Sequence, residues 1–296
     1  MPRIAGPAQL AAALVALALL SAQAPNPIAP TAAPLSPPQA PAGYETIVFK
    51  SKAADGATIT GYLKRPEGGA PAPAIVALHG CNGLFTVKGA LTPLNRDWVQ
   101  RFNGLGYAVL LVDSFNPRGF RDVCRLTASE RTVRPFDRAR DAAAAVAWLA
   151  TDAAIDRQRI ALIGWSHGGS TVLWAADKRL AFGNADIKAA IAFYPGCRVP
   201  AESANWAPRV ALTILIGAAD DWTPPESCRA LAARHASVRY IEYPGAVHAF
   251  DAPNSPPRVL TGLGLPKSGT AKIGTDPNAR AAAIAVVQGI LAEAFK

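Results

Sequence analysis

Short apolar runs recur along this chain at 74–78 (AIVAL), 107–112 (YAVLLV), 159–163 (RIALI), 189–193 (AAIAF), 211–216 (ALTILI) and 238–242. Runs this short and this apolar mark strands covered on both faces, the condition of a parallel sheet whose crossover connections lay helices over it. The intervening stretches supply those helices. Trp98, Phe102 and Leu105 share a face near 95–105, and the Ala-rich stretch 139–150 carries Val146 and Leu149. A helix over 224–233 is expected to follow a Thr223 cap, and Asp276-Pro277 opens a last helix that runs to about 295. Two further strand-like segments, 46–50 and 58–64, precede the alternation. The pattern predicts an α/β domain with a mainly parallel sheet and helices on both faces. It contains no internal repeat and no sign of a second domain.

Residues 1–24 read as an export signal. Arg3 gives a basic start, 10–20 form an Ala/Leu-rich run, and Ser21-Ala22-Gln23-Ala24 offers small residues to a peptidase. The run is too short for a permanent membrane helix, and no Cys follows it to carry a lipid, so no stable membrane anchor is expected. Residues 25–43 are dominated by Pro and Ala without hydrophobic periodicity and predict a semi-extended linker, leaving 44–296 as the folded domain. Four cysteines behind an export signal suit an oxidising compartment, the periplasm or the exterior. The formal charge of +9 comes from bases scattered singly, with no run and no aromatic-flanked cluster. That argues against a nucleic-acid face.

Chemistry concentrates at Gly164-Trp165-Ser166-His167-Gly168, directly after strand 159–163 and ahead of an apolar helix containing Val172, Leu173 and Trp174. A serine between glycines at a strand-to-helix turn is the nucleophile elbow of the α/β-hydrolase fold, where a sharp bend exposes the hydroxyl. A hydroxyl needs a base, and the histidines are His79, His167, His235 and His248. His79 ends a strand before Gly80 and suits an oxyanion loop. His167 adjoins the nucleophile, and adjacent side chains on a helix diverge. His235 ends a helix, where a cation meets the negative end of the dipole. His248 follows strand 238–242 by a short loop, and in this fold the order runs serine, acid, histidine. The acid must then leave the strand between, which makes it Asp220 or Asp221. The spacing Gly217-x-x-Asp220-x-x-x-Pro224 resembles the acid loop of many α/β-hydrolases and favours Asp220, with Asp221 as a turn or capping carboxylate. The expected oxyanion donors are the backbone N–H groups of His167 and of Cys81, the latter in the loop His79-Gly80-Cys81-Asn82-Gly83.

Taken in order, His79-Gly80-Cys81, the loop from Asp113 to Gly119, Gly164 to Gly169, Asp220-Asp221-Trp222-Thr223-Pro224, and Tyr243-Pro244-Gly245 with His248-Ala249-Phe250-Asp251 resemble the dienelactone hydrolase family from about Tyr44 to the C-terminus. The resemblance implies a compact α/β-hydrolase without a large cap, no metal or organic cofactor, and hydrolysis of enol-lactones or related small esters. Namesake enzymes carry Cys at the elbow where this chain has Ser166, which shifts the expectation toward carboxylic esters in general. Arg118 offers a planar fork for a substrate carboxylate, or a pin for its own loop. Trp165 and Trp222 suit either an acyl pocket or the core. In this fold Cys81 and Cys124 follow neighbouring strands, as do Cys197 and Cys228, so disulfides Cys81–Cys124 and Cys197–Cys228 are expected, although sequence alone does not choose among the three pairings. Polyester, thioester or peptide-bond hydrolysis would use the same groups, and a catalytically silent ligand-binding protein is the alternative outside enzymes.

Overall fold

The computed structural model describes residues 1–2, 33–68, 71–182 and 185–296. Residues 3–24 of the expected export signal and 25–32 of the linker therefore lie outside the described residues. From residue 33 onward the order is β1 (Glu45–Lys50), β2 (Thr58–Lys64), β3 (Ala72–Leu78), α1 (Pro93–Gly104), β4 (Ala108–Asp113), α2 (Pro135–Leu149), β5 (Ile155–Trp165), α3 (His167–Ala175), β6 (Ala189–Phe193), α4 (Arg198–Glu202), β7 (Leu212–Gly217), α5 (Glu226–Arg234), β8 (Val238–Tyr243), β9 (Arg258–Thr261), β10 (Thr270–Ile273) and α6 (Pro277–Ala294). Among the described residues no helix is long and apolar enough to cross a membrane.

β1 to β8 form one sheet in the order β1-β2-β4-β3-β5-β6-β7-β8. β1 and β2 pair antiparallel with their neighbours, and the remaining pairs are parallel. Every residue of β4, β6 and β7 is buried, as strands sandwiched between helical layers must be. β1, at the edge, alternates instead, with Ile47 and Val48 facing the core and solvent respectively. Helix starts follow local chemistry: Pro93, Pro135 and Pro277 occupy first-turn positions, and the Asp276 carboxylate accepts the N–H groups of Asn278 and Ala279.

Two features depart from the sequence expectation. Helix α5 begins at Glu226, and Thr223 does not cap it, because its hydroxyl is drawn to Asp220. The antiparallel hairpin β9–β10 was not anticipated; it buries Leu263 and Ala271 in a satellite cluster with Cys81, Phe115, Val123 and Cys124, apart from the main core. The segment from residue 33 to 41 has no helix or strand, yet it is fastened to the domain through Leu35 N–H to the Asn116 carbonyl (2.9 Å) and Tyr62 Oη to the Pro38 carbonyl (2.9 Å).

Candidate active site

Chain direction fixes where chemistry can sit, since the parallel strands deliver their following loops to one rim of the sheet. At that rim β5 ends in Trp165 and α3 begins at His167, leaving Ser166 between them at φ 54°, ψ −114°. A non-glycine residue held there stores strain and turns its side chain outward. The turn closes only because its neighbours lack a Cβ: one on Gly168 would lie 1.9 Å from the Leu78 carbonyl oxygen, and one on Gly164 would lie 2.3 Å from that of Gly168. Ser166 is half-buried and borders a cavity of about 540 Å³ together with Gly80, Cys81, Trp222 and His248.

The loop after β7 carries Asp220 and the loop after β8 carries His248, both almost wholly buried. His248 Nδ1 lies 2.7 Å from Asp220 Oδ2. The carboxylate can only accept, so Nδ1 carries a proton, and it is the neutral form of such a ring that presents a lone pair at Nε2. Asp220 Oδ1 accepts the backbone N–H groups of Trp222 and Thr223, each at 2.9 Å, and the Thr223 hydroxyl reaches Oδ2 at 2.9 Å. Four donors thus hold one carboxylate in a single orientation. The His248 ring packs against Tyr194 and Trp222, with centroids 4.5 and 4.8 Å away. Ser166 Oγ forms no hydrogen bond to the His248 ring among the described residues; the two groups face the same cavity. Asp221 points elsewhere: its Oδ1 accepts Lys272 N–H at 2.8 Å and fastens β10, a different job from the turn or cap expected of it.

Of the four histidines, His248 alone borders the cavity among the described residues. Burial, reinforced by the Arg138 charge, holds His79 and His167 well below the usual histidine range, so both stay neutral. Burial and the charges of Arg234 and Lys178 also lower His235, which ends α5 edge-on to Trp206.

The loop 79–83 passes close to the elbow, since a Cβ on Gly80 would stand 3.7 Å from that of Ser166. The backbone N–H groups of Cys81 and His167 donate to no protein acceptor among the described residues. Arg138, from α2, holds both segments: one guanidinium nitrogen lies 2.8 Å from His167 Nδ1 and the other donates to the His79 carbonyl at 2.9 Å. Cys81 is bonded to Cys124, and Cys197 to Cys228.

Arg118 does not border the cavity. Its guanidinium is buried and its five N–H donors are spent on Asp55 (2.6 and 3.3 Å), Asp141 (2.8 and 2.9 Å) and the Ser114 carbonyl (2.9 Å), which leaves none for a substrate. The loop-pinning alternative describes it. Trp165 borders the cavity but is only 1% exposed, its indole turned inward to Asp251, whereas Trp222 presents a ring beside His248. Sequence reasoning missed the hairpin residues Arg258, Leu260, Leu263 and Ile273 that wall the cavity, and the rim residue Arg125. It also missed Thr223 as a partner of Asp220; a threonine three residues after the acid was the available signal.

The model of the dienelactone hydrolase family matches residues 59–294. No curated protein matches the chain. Among solved structures the chain is similar to a Klebsiella pneumoniae protein assigned as a dienelactone hydrolase, with TM-score 0.61 and 18% identity over 84% of this chain and 99% of that one. A dienelactone hydrolase-like promiscuous phosphotriesterase from metagenomic libraries gives TM-score 0.60 and 22% identity over 85% and 99% of the two chains. Esterase 2 of Thermogutta terrifontis, phosphoramylated by tabun, gives 0.59 and 21% over 88% and 97%. Identities this low speak to the fold alone.

Proposed function

The chain belongs to the dienelactone hydrolase family, and from that premise we propose that it is a serine hydrolase of carboxylic esters or lactones, with Ser166 as nucleophile, His248 as base and Asp220 as supporting acid. The observation that carries the reading is the 2.7 Å contact between His248 and Asp220 beside a cavity that also receives the strained Ser166. His248 Nε2 takes the hydroxyl proton as Ser166 Oγ bonds to the substrate carbonyl carbon. The carbonyl oxygen becomes an oxyanion held by the N–H groups of Cys81 and His167. His248 then passes the proton to the leaving alkoxide oxygen as its bond to carbon breaks, giving an alcohol and an acyl-serine. Water repeats the sequence and frees the acid and Ser166. Asp220 holds the imidazole tautomer and stabilises the imidazolium.

The cavity walls support small, partly apolar esters: Leu94, Trp222, Leu260, Leu263 and Ile273 are apolar, and Arg125 and Arg258 stand at the edge. Export to the periplasm or beyond belongs to the same reading, supported by the two disulfides.

A fluorophosphonate probe suits the test, because a structural neighbour carries an organophosphorus adduct. The wild-type protein should be labelled on Ser166, and Ser166→Ala should lose labelling and about 10⁴-fold or more of kcat on p-nitrophenyl acetate. Undiminished turnover in that variant would overturn the assignment.

A further inference from the structure

Asp251 is a fully buried carboxylate outside the proton path described above. Its Oδ2 accepts the indole N–H of Trp98 at 2.7 Å and of Trp165 at 2.9 Å, and its Oδ1 accepts the Tyr194 hydroxyl at 2.7 Å. An indole N–H can only donate, so the oxygen that two of them share carries no proton. Burial, then the neighbouring Asp251, pushes the Tyr194 phenol well above its ordinary range, which keeps it a donor. Burial raises the Asp251 carboxyl above the usual carboxylate range, against the pull of its three donors toward the charged form, and no ion pair offsets that burial among the described residues. A well-packed apolar group would fill the same space without the desolvation penalty, so the carboxylate needs a reason beyond stability.

The reason lies in what the three donors adjoin. Trp165 directly precedes Ser166. The Tyr194 ring lies against the His248 ring, centroids 4.5 Å apart. Asp251 itself closes the turn that begins at His248, and Trp98 brings in α1 through contacts with Trp165 (5.9 Å) and Phe193 (5.3 Å). One side chain therefore ties the end of β5, the end of β6, the base's loop and α1. Tyr194 (φ 35°) and Ala249 (φ 58°) sit in the left-handed region, backbone that persists only where surrounding contacts over-determine it.

Resting on Ser166 and His248 as nucleophile and base, we propose that Asp251 is a positioning residue that sets the approach of the Ser166 hydroxyl to the His248 ring by gripping the residue next to each. Transfer of the hydroxyl proton is sensitive to this geometry, since a misplacement near 1 Å costs roughly 10²-fold in rate.

The test compares full-length wild type, Asp251→Ala, Asp251→Asn and Tyr194→Phe in p-nitrophenyl acetate hydrolysis and in the rate of fluorophosphonate labelling, with thermal melting to establish folding. Asp251→Ala should lose about 10²-fold in kcat with KM within about 3-fold, and labelling should slow in parallel. Asn can accept both indoles on its oxygen and donate to the Tyr194 hydroxyl, so Asp251→Asn should recover about 10-fold or more of that loss. Tyr194→Phe keeps the ring against His248 and drops one bond, so it should lose about 3- to 10-fold and remains readable if Asp251→Ala does not fold. A folded Asp251→Ala with kcat and labelling at the wild-type rate, an Asn variant as slow as Ala, or, where Ala does not fold, a Tyr194→Phe at the wild-type rate sinks the inference alone. Wild-type protein that the probe does not label sinks the reading of the site on which it rests.

Discussion

Asp220 and Asp221 are neighbours in sequence with unrelated surroundings, and the difference makes them separable by mutation. Asp220 accepts His248 Nδ1–H and three donors from its own loop, while Asp221 fastens β10 through Lys272 N–H. Asp220→Asn can turn an amide N–H toward His248, which favours the tautomer whose Nε2 already carries a proton; kcat should fall about 10³- to 10⁴-fold with little change in KM. Asp221→Asn still offers an oxygen to Lys272 and should stay within about 3-fold of wild type. Equal losses in the two variants would show that neither carboxylate is specially coupled to His248. The pairing of His248 with Asp220 is legible in the sequence because the fold prescribes chain order and only four histidines compete. Thr223 is open to the same kind of reading through its place three residues after Asp220, but Tyr194 and Asp251 are not. Their partners come from segments distant in sequence, and a lone Tyr or Asp carries no spacing that names a distant donor.

The strands and helices follow from local patterns wherever both faces are buried, which is why β4, β6 and β7 stand out as apolar runs. The hairpin escapes the same reading. β9 and β10 are four residues each, mostly exposed, and held by anchors distant in sequence, including Gly264 N–H to the Cys124 carbonyl (3.0 Å) and Gly274 N–H to the His248 carbonyl (3.2 Å). The strand-to-helix turn at Ser166 is legible from its flanking glycines, whereas the close approach of α3 to β3 that goes with it is seen only in the structure. Gly168→Ala tests that approach. Its Cβ would meet the Leu78 and His79 carbonyl oxygens at 1.9 and 2.6 Å, and these are backbone atoms that cannot turn aside. Overpacking of this kind costs about 3 kcal/mol, so Tm should fall by about 6–12 °C. Activity should fall further than stability at temperatures where the variant is folded, because the shift moves Ser166 relative to loop 79–83. A melting curve and a kcat indistinguishable from wild type would mean that α3 has room the structure denies it.

Across the whole molecule the two disulfides do different work, although each closes a loop of similar length. With sequence separations of 43 and 31 residues, each removes about 4 kcal/mol of unfolded-state entropy in the chain-closure account, so reduction should lower Tm whichever bond is lost. Their functional reach is unequal. Cys81–Cys124 joins the loop beside Ser166 to the segment whose Cys124 carbonyl holds the hairpin through Gly264 and also accepts from Arg131. Its loss should loosen loop 79–83 and the cavity wall together. Cys197–Cys228 ties the start of α4 to α5, and the loop between β7 and α5 keeps its own hydrogen bonds from Trp222 and Thr223 to Asp220. The paired Cys81→Ser, Cys124→Ser protein should therefore lose about 10-fold or more in kcat/KM at a temperature where it is fully folded, while the Cys197→Ser, Cys228→Ser protein should lose mainly Tm and stay within about 3-fold in activity. Thermal melts with ester kinetics on both double variants decide the matter. Equal activity in the two folded proteins would show that the cavity is held by its hydrogen bonds and packing alone, and that the first disulfide serves only the stability of the fold.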